Sequence, residues 1–430
     1  MEKSTKAERK EIINDFASHV SSGKAKTFKD YGMEFIMGKR EGPYIWDVAG
    51  DKKLINCHSN GGVFNLGHRN PEIVKTMHQA LDDLDIGNHH FISKQRAELG
   101  KKLAELMPGD LDYAVFGSGG GEAIDLALKL ARAVTGRNDI ISAIGGYHGH
   151  TGLALATGDS EYKKPFGKLA PGFVQVPFGD INALKMKIYP NTAAVILETI
   201  PATLGIVIPE KEYLQEVRKI CTENGSLLIM DEVQSGLGRT GKLWAFEYYD
   251  IIPDIVVIGK GLSGGIYPIS ATIFRKPYED FFKKNPFIHV STFGGAEVGV
   301  PVALKVLEIS SSDYFLNRVN EMGEYMSKGL SALVSKHPKY LESFNQLGLM
   351  IGIRFSKEKY SLLFTKAAYE SGLWALYANN DKHMVQMLQP LIINENHVEE
   401  IIEKIDKAIS KLKYYKIAFN IKEILNKLPW

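Results

Sequence analysis

The chain has 430 residues, of which 44% are apolar and 24% are charged, and its formal net charge is +2. This balance is typical of a globular protein with a large core, and it gives no reason to expect nucleic acid or an anionic membrane as a partner. Only Cys57 and Cys221 are present, which excludes a disulfide framework, and residues 1–12 lack the apolar core of a signal peptide. No stretch reaches the roughly 18 apolar residues of a membrane span, so we expect a cytoplasmic protein.

The order of apolar segments predicts an α/β protein with a large and a smaller domain. Residues 1–65 begin with a charged helix, continue into short strands with a hairpin at 42–51, and are expected to join the small domain. In the predicted large domain, 66–310, helices at 71–84 and 93–107 precede alternating strands and helices. The predicted strands are 113–116, 140–144, 193–197, 227–230, 255–258 and 269–274, with helices at 121–135 and 211–224 among them.

Such alternation is typical of a mostly parallel sheet with helices on both faces. After residue 310 the pattern changes to long amphipathic helices around a strand at 350–355. We therefore predict that residues 311–430 form the smaller α+β domain. Its tail, 411–430, has the pattern of an amphipathic helix that packs against the protein.

A glycine-rich loop, residues 117–121, joins a predicted strand to a predicted helix. Gly120 and Gly121 allow close backbone approach, and a helix N-terminus offers unpaired N–H groups to an anion such as phosphate. The spacing matches neither the GxGxxG dinucleotide motif nor a P-loop. The alternative is a tight strand-to-helix turn that binds nothing.

A second loop, residues 145–151, follows the strand at 140–144. The ring of Tyr147 is suited to stack on a planar cofactor at this edge of the sheet, or else it is a half-buried core aromatic. His148 and His150 are not accompanied by a carboxylate or a cysteine at metal-ligand spacing. We therefore expect no metal site.

Two apolar strands end in ionisable side chains of opposite charge, Asp231 and Lys260. Ligands of open parallel sheets bind at the carboxyl ends of the strands. Burial there lowers the pKa of a lysine and frees its amine as a nucleophile. Pyridoxal phosphate (PLP) requires this pair, a lysine for a Schiff base and an acid opposite the pyridine nitrogen. The alternatives are a lysine that extends to solvent and an aspartate that caps a helix.

Neighbouring residues supply further groups for such a ligand. Gln234 is placed to donate a hydrogen bond to a phenolic ring oxygen, and Val233 is placed to pack on a ring face. Thr292 offers a hydroxyl to a phosphate, or is an ordinary loop residue. Arg239 is expected to be structural and to pair with an acid or a carbonyl group.

Together these motifs resemble the class III PLP-dependent aminotransferases of fold type I, which include ornithine, acetylornithine and 4-aminobutyrate aminotransferases. The resemblance extends from residue 42 to residue 391 and is strongest over residues 228–270, where 29 positions separate Asp231 from Lys260. It implies a fold type I transferase that uses PLP to move an amino group from a small-molecule amine or amino acid to an oxo-acid. It also implies a homodimer with active sites at the subunit interface.

The resemblance assigns roles to individual residues. Lys260 would be the catalytic lysine that forms the Schiff base with PLP and moves the proton. The cofactor-binding residues would be Gly120 and Gly121 at the phosphate, Tyr147 and Val233 at the ring, Asp231 at the pyridine nitrogen, Gln234 at the 3-oxygen, and Thr292 of the partner subunit at the phosphate.

Three positions depart from the family pattern where substrate carboxylates are often held. His150 stands where an arginine often follows the Tyr-His-Gly motif. Gln386 and Thr203 stand in place of a second arginine and its glutamate partner. Because neither Gln nor His reproduces the bidentate geometry of arginine, the sequence predicts an enzyme without the usual α-carboxylate clamp. The alternative is that another cation, such as Arg69 or Lys382, replaces it.

The leading hypothesis is transamination with a primary amine, an ω-amino compound or an aminoalkyl anion as one partner. The runner-up keeps PLP but changes the outcome to that of a lyase, aminomutase or racemase, acting for example on an amino-alcohol phosphate or an aminoalkylphosphonate. A third hypothesis, a non-catalytic binding protein, would require loss of the Schiff-base lysine, yet Lys260 is intact.

Overall fold

A seven-stranded mixed sheet forms the centre of the computed structural model, which describes residues 5–415. Ser270–Phe274 runs antiparallel to both of its neighbours, and the other pairs are parallel. Strands such as Thr192–Glu198 are buried at every position, as expected where helices cover both faces. The predicted α/β fold is therefore confirmed. The strand order is Tyr113–Gly117, Ser270–Phe274, Ile255–Ile258, Leu227–Asp231, Thr192–Glu198, Asp139–Ala143 and Phe173–Val176.

All six predicted strands of this sheet are present, with ends that agree to within one residue. Phe173–Val176 was not predicted. It is a short strand at the sheet edge, where only Val176 is fully buried. Half-exposed edge strands need no continuous apolar run, so the sequence gives little signal for them.

The helices begin and end at recognisable signals. Asn70 accepts hydrogen bonds from the N–H groups of Glu72 and Ile73 just before Pro71 opens its helix, and Gly136 ends another helix with φ = 66°. The α-helices are Lys6–His19, Ser22–Asp30, Ser59–Gly62, Pro71–Asp83, Lys94–Leu106, Gly120–Thr135, Gly152–Thr157, Ser160–Lys163, Ile181–Lys187, Lys211–Asn224, Glu279–Lys284, Val300–Ser310, Asp313–Lys336, Glu358–Glu370 and Glu395–Lys411, and the short 3₁₀ helices are Lys164–Phe166, Ala245–Tyr249, Lys260–Ser263, Lys276–Tyr278 and Glu297–Gly299.

Two four-stranded sheets lie outside the central one. The first contains three N-terminal strands in antiparallel order, and its strand Lys53–Asn56 pairs in parallel with Leu373–Trp374 from the C-terminal part. This pairing supports the assignment of residues 1–65 to the small domain, although the boundaries at 65 and 310 stay a prediction. In order, the strands are Met37–Glu41, Tyr44–Asp47, Lys53–Asn56 and Leu373–Trp374 in the first sheet, and Leu341–Leu347, Met350–Phe355, Met384–Met387 and Leu376–Tyr377 in the second.

Arg239 joins the large sheet to these outer elements. Its guanidinium is fully buried and donates to the carbonyls of Leu349 (3.2 Å) and Gln389 (2.6 Å) and to Oδ1 of Asn65 (2.5 Å). Burial lowers its pKa to about 9. The expected structural role with carbonyl partners is confirmed, and the contacts fix the loop that follows Asp231 against the C-terminal strands.

Of the predicted tail helix, 411–430, residues 416–430 lie outside the described part of the chain, and residues 412–414 form a turn after the helix that ends at Lys411. The preceding helix, Glu395–Lys411, is present and packs its apolar face into the C-terminal core. Within residues 5–415, no helix is both long and apolar enough to cross a membrane.

Candidate active site

The carboxyl ends of the central strands open into two adjoining cavities. The inner pocket is lined by Gly120, Gly121, Tyr147, His148, Gly149, Glu198, Ile200, Asp231, Val233, Gln234, Ser235 and Lys260. The outer cleft is lined by His58, Asn60, Gly61, Gly146, Tyr147, His148, Gly149, His150, Ala154, Leu155, Gly158, Tyr162, Thr203, Gln234, Lys260, Leu376, Tyr377, Asn379, Asn380 and Gln386. Lys260 lines both cavities, so a molecule in either one meets its amine.

Lys260 follows the buried strand Ile255–Ile258 and begins a 3₁₀ turn. Its φ is 38°, in the left-handed region that non-glycine residues rarely adopt. Backbone strain of this kind is typical of functional sites. Burial lowers the pKa of Lys260, and the carboxylates of Asp231 and Glu198 only partly offset that effect. The amine is therefore easier to deprotonate than that of an exposed lysine.

Asp231, at the end of the adjacent strand, is 5% exposed and has two partners. Its Oδ2 lies 2.8 Å from Nδ1 of His148, and its Oδ1 accepts the N–H of Val233 at 3.0 Å. Burial opposes protonation of His148, but its hydrogen bond to Asp231 and the charge of that carboxylate raise its pKa above the usual value. The hydrogen bond to His148 fixes the orientation of the Asp231 carboxylate. His148 is thus the hydrogen-bond partner of an aspartate.

Glu198 is a second buried carboxyl group in the inner pocket, and the sequence analysis gave it no role. Its Oε1 accepts the N–H of Tyr147 at 2.9 Å. Burial, together with the nearby charge of Asp231, raises its pKa to about 7, against the opposing charges of His148 and Lys260. Glu198 therefore fixes the backbone of the residue whose ring reaches the pocket mouth.

The donor set of the inner pocket fits PLP. A methyl group added at Gly120 would lie 3.2 Å from Cγ1 of Val233, and one at Gly121 would lie 2.9 Å from Oγ1 of Thr151. Only glycine leaves the backbone N–H groups of this helix N-terminus open to an anion. A buried acid, an amine of lowered pKa and a half-exposed tyrosine ring face the same space. These groups match the phosphate, pyridine nitrogen, aldehyde and ring face of the cofactor.

All three predicted substrate residues line the outer cleft. The ring of His150 lies between those of Tyr147 and Tyr162, with centroid distances of 5.4 and 6.4 Å. Thr203 donates to the carbonyl of Gly145 at 2.9 Å. Gln386 is buried in the strand Met384–Met387.

Lysine and arginine are scarce in this cleft. Within residues 5–415, Lys260 is the one lysine or arginine side chain that lines it, and neither Arg69 nor Lys382 does so. The residues that stand at the predicted positions of the arginine clamp, His150, Thr203 and Gln386, thus line a cleft to which no arginine of residues 5–415 contributes.

Thr292 behaves differently from the other predicted cofactor residues. It is exposed, in the loop after Glu279–Lys284, and it lines neither cavity. The structure brings the remaining cofactor residues together and leaves Thr292 outside. His58 lines the outer cleft after the strand Lys53–Asn56 and was not predicted from the sequence. Its position just after a strand, where polar residues often form sites, is the signal that could have predicted it.

A PLP-type pocket on this fold defines the broad class of enzyme, and comparison with known proteins gives the family. Residues 28–409 match the model of the class-III aminotransferases, and the chain belongs to that family. Enzymes of this family use PLP, and the protein is a PLP-dependent transaminase. The predicted family and cofactor, and transamination as the reaction, are confirmed.

Some of the relatives of this chain are named after a substrate, and others only after the reaction. An uncharacterized aminotransferase of Archaeoglobus fulgidus is 57% identical over 93% of this chain and 94% of that protein. A putrescine aminotransferase of Pectobacterium atrosepticum is 32% identical over 94% of this chain and 89% of that protein. The crystal structure of a taurine:2-oxoglutarate aminotransferase from Bifidobacterium kashiwanohense, with PLP and glutamate, superposes with a TM-score of 0.86, covers 96% and 100% of the two chains, and is 24% identical.

Proposed function

We propose that this aminotransferase takes its amino group from a primary amine without an α-carboxylate and passes it to an oxo-acid. The observation that carries the proposal is the outer cleft, where His150, Thr203 and Gln386 stand in place of the arginine clamp. A buried carboxylate without a cation loses its hydration with no compensating charge. An alkyl amine carries no such group, so the missing clamp weakens the binding of an α-amino acid donor and of the oxo-acid acceptor but not that of the amine.

The residues of the inner pocket divide the chemistry among themselves. PLP, when bound, supplies an electron sink that stabilises negative charge on the carbon beside the amino group. Asp231, paired with His148, would hold the proton on the pyridine nitrogen. Lys260, with its lowered pKa, would accept the proton from the substrate carbon and return it during the same half-reaction. Gly120 and Gly121 would hold the phosphate.

The relative that is named a putrescine aminotransferase supports an alkyl diamine as the donor. A diamine presents a reacting amine at one end and a hydrogen-bond donor at the other. The aromatic rings of Tyr147, Tyr162 and Tyr377 along the cleft suit its methylene chain and its distal ammonium group.

A panel of donors tests this proposal. PLP-loaded enzyme is mixed with 1,4-diaminobutane, butylamine, ornithine, alanine and glutamate, and the change of cofactor absorbance is followed in single half-reactions. We expect the diamine to give the highest kcat/KM and the α-amino acids to be poor donors, with pyruvate or 2-oxoglutarate restoring the starting spectrum. Faster reaction with alanine or glutamate than with both amines would contradict the proposal.

We also propose that the active enzyme is a cytoplasmic homodimer. An exposed apolar surface, here called the 91/287 patch, consists of Phe91, Ile92, Phe287, Ile288, Val290 and Phe293. The segment that carries Phe91 and Ile92 contacts the segment that carries Phe287, because the ring centroids of His90 and Phe287 lie 5.9 Å apart. Exposed apolar patches of this kind mark interfaces. Thr292 lies within the patch, which supports the idea that it reaches the phosphate of a second copy.

The dimer is tested by introducing a charge into the 91/287 patch. Ile92 is fully exposed, so Ile92→Asp leaves the monomer core intact but buries an unpaired charge in the proposed interface. We expect a dimer for the wild type and a monomer with little activity for the variant, measured by light scattering after gel filtration. Met186→Asp, at another exposed apolar residue, is the control. An active dimeric Ile92→Asp variant would contradict the assignment.

A further inference from the structure

A left-handed turn forms one wall of the outer cleft. Ser59, Asn60, Gly61 and Gly62 follow one another with φ values of 50°, 53°, 70° and 93°. Two of these four residues are not glycine, so the conformation costs free energy that the surrounding contacts must offset. The residue immediately before this turn is His58, and its ring lines the cleft together with Lys260.

A buried network holds this turn in place. Oδ1 of Asn56 accepts the N–H groups of His58 (3.2 Å) and Ser59 (2.9 Å), and its amide nitrogen lies 2.9 Å from Nε2 of His68. On the opposite side, Nε2 of Gln234 donates to the carbonyl of Gly61 at 2.8 Å. The backbone of His58 is thus fixed to the same framework as the cofactor pocket.

The imidazole of His58 is available to a ligand. Burial and the charge of Lys260 lower its pKa to about 4, so the ring is neutral at neutral pH. A neutral imidazole has one nitrogen that accepts a hydrogen bond and one that donates. Within residues 5–415, His58 makes hydrogen bonds through its backbone, and its ring nitrogens have no protein partner.

Two other polar residues of the cleft, Asn380 and Thr203, already have protein partners. Asn380 donates to the carbonyl of Gly145 at 2.7 Å and accepts the hydroxyl of Tyr162 at 3.0 Å, while Thr203 donates to the same carbonyl. His58 therefore offers an uncommitted acceptor atom close to the reacting lysine. His58 and Lys260 line the same outer cleft, so a donor that reacts at Lys260 extends along the wall that carries His58.

We propose that His58, on the wall of the outer cleft, is a specificity-determining residue that accepts a hydrogen bond from a second N–H or O–H group of the amino donor. The inference rests on the proposed function, since it concerns the same amine substrate. It adds a residue that selects donors bearing a distal hydrogen-bond donor over plain alkyl amines of equal length.

The test compares 1,4-diaminobutane with butylamine, which share the reacting group and the chain length. In the wild type we expect kcat/KM for the diamine to exceed that for butylamine by roughly 10- to 100-fold, the effect of one hydrogen bond to a charged group. His58→Phe keeps a ring but removes the acceptor, so the diamine should lose this advantage while butylamine stays nearly unchanged. His58→Asn, which restores an acceptor, should recover part of the preference. His78→Phe, at an exposed helix position, is the control.

Binding of each amine, followed through the cofactor absorbance, gives a readout independent of turnover. An equal loss for both amines in His58→Phe would show that the ring only supports the fold, and an unchanged preference would show that it does not contact the donor. Either result overturns the inference and leaves the proposed function standing. If the wild type reacts with neither amine, the proposed function fails and the role of His58 fails with it.

Discussion

Replacing Lys260 with alanine should lower kcat by at least about 10²- to 10⁴-fold, the range that a positioned proton-transfer group contributes. The variant loses the amine of lowered pKa that lines both cavities, and no other lysine of residues 5–415 lines either one. Borohydride treatment followed by peptide mapping should find the cofactor attached at position 260 in the wild type and absent there in the variant.

Lys407→Ala is the matched control, because Lys407 is exposed on the helix Glu395–Lys411, which contributes to neither cavity. Circular dichroism of Lys260→Ala should match that of the wild type, since the side chain makes no structural hydrogen bond that the fold requires. A borohydride adduct on another lysine, or a Lys260→Ala variant with near wild-type kcat, would overturn the assignment.

Asp231→Asn should lower kcat by about 10²- to 10³-fold, the cost of removing one preorganised electrostatic group from an active site. The asparagine retains an oxygen for the N–H of Val233 but loses the negative charge beside His148. The pKa of His148 should then fall, because burial is no longer offset by Asp231. Titration of the histidine signals by NMR measures this fall and so tests the His148–Asp231 pair separately from kcat.

Glu232→Gln is the control at the neighbouring position. Glu232 is buried but lines neither cavity, and its carboxylate accepts the N–H groups of Ala245 (2.9 Å) and Phe246 (3.1 Å). The glutamine variant should therefore lower Tm while the folded enzyme keeps its kcat. If Asp231→Asn is as active as Glu232→Gln, Asp231 does not act on the cofactor.

Most of the inner pocket could be predicted because its residues follow continuous apolar strands. Asp231 and Lys260 end buried runs in a parallel sheet, and such strand ends meet at one edge whatever the details of packing. The glycine-rich loop before the helix that begins at Gly120 can likewise be recognised from a few consecutive residues. The hydroxyl of Thr292 suggested a phosphate ligand, and the family resemblance placed it at the phosphate of the partner subunit; in the chain itself Thr292 is exposed next to Phe293 of the 91/287 patch.

The outer cleft shows what local pattern does not reveal. His58 is brought beside Lys260 although 202 positions separate them in the sequence, and Asn380 is brought to Gly145 across 235 positions. No periodicity or motif encodes such distances. The partner of His148 was missed for the same reason, because Asp231 lies 83 positions further along the chain.

The sequence by itself determined the fold class, the family, the cofactor and the absence of the usual arginines, because these follow from residue identity and short-range spacing. Only the tertiary structure decided that His148 pairs with Asp231, that Arg239 is held by carbonyl groups, and that His58 is neutral and faces the cleft. Those properties depend on burial and on contacts between distant segments, and burial is what moves a pKa or leaves a polar group in need of a partner.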